Sequence, residues 1–128
     1  MAIWGIGVTF SGKNKVDEFI NTETACIGWD DDKAESLYNL KSDIKVGDII
    51  YMKSSVVSKK EVLIYGVGIV LENDFQDREL KVRWTKAGKF RVPFDDFDKY
   101  NVKSNTLYQE YSPTVQDKIV NIVCGQFK

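Results

Sequence analysis

The sequence predicts an α+β domain built on a curled, mostly antiparallel sheet with peripheral helices, and three observations carry that prediction. Apolar, β-branched runs fill the middle of the chain. Helix signals flank them, and the clearest stands at the C-terminal end, where a cap and a proline precede an apolar stripe. With 128 residues, 43% of them apolar and 12% aromatic, the chain can bury a real core. That composition excludes a disordered polymer, and the length fits one domain over residues 1–128.

Residues 3–10 (Ile3-Trp4-Gly5-Ile6-Gly7-Val8-Thr9-Phe10) open the sheet, with Gly5 and Gly7 marking close backbone approach or a bulge. A turn over 11–14 follows, and Asn14 is placed to cap a short helix bearing Val16, Phe19 and Ile20. Residues 25–29 read as a short strand, broken by Asp30-Asp31-Asp32. Those carboxylates suit the positive end of a second helix that carries Leu37, Tyr38 and Leu40. Gly47-Asp48 turns into a buried strand through Lys53, and 54–61 is a polar loop. Residues 62–71 form a central strand with glycines at 66 and 68, and 80–84 alternates apolar and charged as a half-exposed strand should. Val92-Pro93-Phe94 ends another extended segment, and Ser104 is placed to cap a short helix through Tyr108. Ser112-Pro113 then starts the last helix, with Val115, Ile119, Ile122 and Val123 on its packing face and Gly125 as the stop.

Composition excludes whole classes of chemistry. With no histidine, Ser-His-Asp triads, Cys-His pairs and histidine-ligated zinc are impossible. Cys26 and Cys124 lie far apart in apolar settings and read as reduced, mostly buried thiols. Three consecutive aspartates point in different directions and lack the spacing of a hard-cation loop. The sequence therefore predicts a binding module rather than an enzyme, with no metal and no cofactor. A net charge of −1 argues against indiscriminate polyanion binding but leaves room for a local basic groove. No run approaches the ~18 apolar residues of a membrane span, and no basic signal-peptide region opens the chain, so a cytoplasmic protein without membrane contact is expected.

Three phrases occur in order: Cys26-Ile27-Gly28-Trp29-Asp30, then Ile44-Lys45-Val46-Gly47-Asp48-Ile49-Ile50, then Tyr65-Gly66-Val67-Gly68-Ile69-Val70, followed by Lys81-Val82-Arg83-Trp84. This ordered set resembles the PUA-like superfamily. It is most similar to the EVE and YTH-type domains, including the N-terminal modules of modification-dependent restriction systems. The resemblance covers residues 2–123 and implies a small, curled or closed β-barrel with a pocket for one modified or flipped nucleobase. By that match Trp29 is one wall of an aromatic cage. Phe75 is the aromatic available for the second wall, where a tryptophan is typical. The turn from Ser11 to Asn14 is where relatives bond the base or backbone, and the strand of Trp4 borders the pocket.

The residues also carry a case of their own. Base capture needs a flat π-surface and polar groups that read a base edge. Trp29 followed by Asp30 offers both; the alternative is a packed tryptophan beside helix-capping carboxylates. Lys53 and Ser54 stand where a strand ends and are placed to touch a ligand. Lys13, Lys53, Lys81, Arg83 and Lys86 are the candidate phosphate contacts, and the alternate spacing of Lys81 and Arg83 also suits an ordinary solvated strand face. Trp84, in phase with Val82, is read as core.

The expected function is a reader that captures a modified base of DNA or RNA and recruits a separate effector protein, as in restriction or antiviral defence. A pocket for a free nucleotide or similar small ligand is the alternative, and a protein-interaction domain is the third.

Overall fold

The computed structural model describes residues 1–10, 13–27, 35–56, 59–74, 79–85, 89–93 and 106–126. In chain order these form β1 (Ile3–Gly7), β2 (Thr9–Phe10), β3 (Lys13–Asn14), α1 (Val16–Thr22), β4 (Thr24–Cys26), α2 (Glu35–Lys41), β5 (Ile49–Val56), β6 (Glu61–Asn73), β7 (Glu79–Thr85), β8 (Phe90–Pro93), β9 (Leu107–Gln109) and α3 (Pro113–Gln126). Seven strands make one sheet in the order β4-β7-β6-β5-β1-β9, with β8 also paired to β6, while β2 and β3 form a separate hairpin. The pairings are antiparallel except β1 with β5. The α+β, mostly antiparallel prediction therefore stands at that level.

The sheet is open, since no ladder among the described residues joins β4 to β9. It is nevertheless strongly curled. Five steps of about 4.8 Å would separate the two edge strands by roughly 24 Å in a flat sheet. Instead Ala25 and Cys26 of β4 and Leu107 of β9 line one crevice. The curl needs thin backbone at its inner corner. A Cβ on Gly68 would stand 2.6 Å from Val82 Cγ1 and 2.8 Å from the Arg83 carbonyl oxygen, so the strand approach there admits only glycine.

Two cores result, one on each face. The inner core holds Trp4, Ile6, Ala25, Ile50, Met52, Val70, Leu80, Val82 and Leu107, closed by Phe19 of α1 with Leu37 and Leu40 of α2. The outer one holds Ile3, Ile49, Tyr51, Ile64, Val67 and Tyr108 under Val115 and Ile119 of α3. Buried on both faces, the first half of β5 (Ile49 to Met52) reads as a continuous apolar run, and Tyr51 and Met52 point into opposite cores. On β6 the register shifts opposite Met52 and Lys53, so outward-facing residues change from even (Val62, Ile64) to odd (Val67).

The C-terminal helix forms as its cap, proline and apolar spacing dictate. Pro113 is its first residue, and Ser112 Oγ accepts the Val115 N–H at 3.4 Å. Three other local expectations are corrected. Residues 3–10 do not make one strand: the chain breaks after Gly7, and Thr9–Phe10 leaves to pair with Lys13–Asn14. Helix α1 has Lys15 at its cap position, and Asn14 Oδ1 reaches past it to the Val16 N–H at 2.9 Å. The expected helix ending at Tyr108 gives way to strand β9, because Gly5 opens a slot for the Tyr108 ring; a Cβ there would be 2.6 Å from Tyr108 Cζ.

Asp48 holds the β5 entry together. Its carboxylate accepts N–H groups from Ala2 (3.1 Å), Trp4 Nε1 (3.0 Å) and Lys45 (2.9 Å) while only 5% exposed. Burial by itself would raise this carboxyl, but the three donors and the chain's terminal amino group outweigh it and hold it below the usual carboxylate range. Its contribution to stability should thus be complete above pH ~4 and fade as pH falls through the depressed folded value. Acid titration of the melting temperature should show that loss in the native chain and not in Asp48→Asn.

Both thiols are free, as expected, but Cys124 is exposed rather than buried. Nine residues beyond Val115, it lies about 180° around α3 from the packing face. Cys26 is half-buried, and burial, with Glu79 and Glu18 adding to it, pushes its thiol up. Native alkylation followed by mass spectrometry should label Cys124 quickly and Cys26 slowly. Equal rates would overturn this placement.

Candidate functional site

The residues expected to line a pocket divide into three groups. Trp29, Asp30, Phe75, Ser11 and Lys86 lie outside the described residues. A second group is brought together: Thr9 pairs with Asn14 across the β2–β3 hairpin, and Thr9 Oγ1 shares a 2.9 Å hydrogen bond with Ser54 Oγ. The hairpin and the end of β5 therefore form one polar, partly exposed surface, with Lys13 exposed on β3.

Trp4 and Lys53 sit elsewhere than expected. Trp4 is 2% exposed, and its indole N–H is spent on Asp48, so it has no face to offer a base. Alternation on β1 turns it into the inner core with Ile6. Lys53 is 3% exposed rather than reaching for phosphate. Its ammonium donates to Ser55 Oγ at 3.0 Å and lies 5.2 Å from the Tyr108 ring centroid. Lys81 and Arg83 do share the exposed outer face of β7, while Leu80 and Val82 of that strand point inward. Trp84 packs as read, stacked on Phe19 at 6.5 Å with its indole N–H donated to the Thr24 carbonyl.

A crevice lies between the sheet edges among the described residues. Its lining is Ile6, Ala25, Cys26, Ile27, Lys41, Leu80 and Leu107, so the strand that leads into Gly28-Trp29-Asp30 forms one wall. As it stands the crevice has no room for a water molecule. Its rim is held by a reciprocal pair. Lys41, 4% exposed, donates to Asn73 Oδ1 at 2.7 Å and to the Asp74 carbonyl, while Asn73 Nδ2 donates to the carbonyls of Lys41 and Ile44, both at 2.8 Å. This ties the end of α2 to the end of β6 and keeps the ammonium hydrogen-bonded despite its burial.

Sequence reasoning missed a second polar line, through the outer core. Tyr51 Oη donates to Glu110 Oε1 at 2.6 Å, and so Tyr108 Oη, 2.6 Å from Tyr51 Oη, must be the donor of that bond. Glu110, 2% exposed, also accepts the Ser112 N–H at 3.1 Å, and its carbonyl accepts from Gln116 Nε2 at 2.9 Å. Burial, then the neighbouring Tyr108 and Glu110, raise the Tyr51 hydroxyl well above its ordinary value, so this line stays protonated at Tyr51 and locks α3 to β5 and β9. Nothing in the local pattern of 104–110 marks it, because its members come from three elements. Among the described residues no cluster of metal-ligating side chains forms, and no helix is long and apolar enough to cross a membrane. Neither a scan against protein-family models nor a search of curated proteins finds a match to this chain.

Proposed function

We propose that the protein is a nucleic-acid reader that takes one modified or flipped base into the crevice between β4 and β9, with Trp29 as the stacking wall. The observation that carries this reading is the crevice itself: it is walled by Ile27, two residues before Trp29, in a curled α+β sheet of the kind the PUA-like resemblance implies. Asp30 supplies an acceptor for an exocyclic amine, and Phe75 is the candidate second wall. The Thr9–Asn14–Ser54 surface and Lys13 are the contacts for the flanking strand. Recognition without chemistry fits a chain that has no histidine, and recruitment of a separate effector supplies the outcome.

Trp29→Ala tests the reading directly. Losing one stacking surface should weaken oligonucleotide binding by about 1–3 kcal/mol with an unchanged melting temperature. A large drop in stability would assign Trp29 to packing. The salt dependence of binding then separates a reader from a free-nucleotide pocket, since only phosphate contacts along a strand give affinity a steep slope against salt.

A further inference from the structure

Strand β6 forks. Residues 61–64 pair with β8, the stretch from Val67 onward pairs with β7, and Tyr65 is the extra residue where the ladder with β5 slips. That bulge turns Tyr65 to the inner side, where it packs against the inner core and is half-buried. Its hydroxyl has no hydrogen-bond partner among the described residues, and Lys89 Nζ lies 5.3 Å from its ring centroid.

The inner face of the sheet continues past the core at this end. Val62, Ile64 and Val92 point into the outer core, so Leu63 and Arg91, paired across β6 and β8, point the other way. Ser54 stands opposite Leu63 and shares its hydrogen bond with Thr9 of the hairpin. Thr9, Ser54, Leu63 and Arg91 therefore form one row across four strands, beside Tyr65. Leu63 is half-buried and joins neither core among the described residues, since α1 and α2 close the inner one farther along the sheet.

The charges around this row are one-sided. Lys13 on the hairpin, Lys59 and Lys60 at the β5–β6 turn, and Lys89 are exposed and make no ion pair among the described residues. Arg91 is steadied by Glu61 at 2.7 Å, which takes one side of its guanidinium. On α1, Glu18 is spent on Lys15 at 3.2 Å, which leaves Asp17 as the exposed acid beside the hairpin. In a chain of net charge −1, this local excess of cations draws an anion to this end of the sheet.

We propose that this surface binds single-stranded nucleic acid, with Tyr65 stacking one base and Lys89 and Arg91 holding the phosphates beside it. A nucleotide carries both halves that the Tyr65–Lys89 pair calls for: a flat π-face to replace the ammonium over the ring, and a phosphate to receive the displaced ammonium. A single strand is the form that fits, because its bases are free to stack on a side chain whereas those of a duplex stack on each other. Thr9 and Ser54 supply hydroxyls for the sugar and phosphate oxygens along the row. This inference shares only the class of ligand with the reading above and needs neither the crevice nor Trp29.

The test is fluorescence anisotropy of a short labelled single strand, titrated with the whole chain at several salt concentrations. Tyr65→Leu, which keeps the apolar packing, should weaken binding about 5- to 150-fold, while Tyr65→Phe, which keeps the ring, should bind as the native chain does. Lys89→Gln should flatten the slope of log affinity against log salt by about 0.7, the worth of one phosphate contact on a single strand. Lys89 is exposed, so its variant reads the site even where Tyr65→Leu disturbs folding. Native affinity in Tyr65→Leu, or a native salt slope in Lys89→Gln, overturns this inference, and a loss in Trp29→Ala alone would then leave the reader standing. A loss in Tyr65→Leu with none in Trp29→Ala supports this surface and removes the crevice reading. A strand that fails to bind the native chain overturns both.

Discussion

Trp4→Ala is expected to lose about 3–5 kcal/mol of stability, the range for removing a fully buried large aromatic. The residue is 2% exposed, and the Tyr108 ring packs close against Gly5 beside it. The mutation also strips Asp48 of the indole donor at 3.0 Å, leaving a buried carboxylate with two of its three N–H partners. Trp4→Phe separates the two effects. It keeps most of the apolar volume, so its cost of about 1.5–3 kcal/mol should come mainly from the lost hydrogen bond to a charged group. Urea unfolding followed by circular dichroism reads both. A cost below ~1 kcal/mol for Trp4→Ala would show that the indole is not a core element, and the base-contact role would return.

Glu110→Leu should be comparably severe. It orphans two buried donors, the Tyr51 hydroxyl and the Ser112 N–H, at about 1–3 kcal/mol each. The second of these sits at the start of α3, so the loss should appear as loosened α3 docking, with faster amide exchange through Val115 and Ile119. Glu110→Gln keeps an acceptor for Tyr51 and should cost much less. Pairing the two then makes a cycle in which Tyr51→Phe costs less once Glu110→Leu is present. Strict additivity would mean that the three groups do not act as one network.

How far the sequence could be read depended on how local the determining physics was. The start of the last helix was legible to the residue, because cap, N1 proline and apolar spacing are all local, whereas Gly125, read as its stop, lies inside it. The alternation of 79–85 likewise placed Leu80 and Val82 inward and Lys81 and Arg83 outward. Leu107 and Tyr108 were misread, since the serine cap signal is local whereas the preference for strand β9 comes from Gly5, about a hundred positions away. Lys53 was misread for a related reason: the serines that follow it read as a polar strand end, yet β5 carries it beneath Tyr108.

The candidate site divides along the same line. Residue types and order alone determined that this chain lacks the groups for histidine-based catalysis, that it is built of strands flanked by helices, and that Trp29 with Asp30 is the phrase to test. Only the tertiary structure decided that the sheet curls without closing, that Trp4 belongs to Asp48 and the core, and that β4 and β9 line one crevice. Strand register is the physical reason. Which peptide groups are bonded and which are left over is a property of two chains side by side, and a single sequence carries the side chains of each strand but not its partner or its phase.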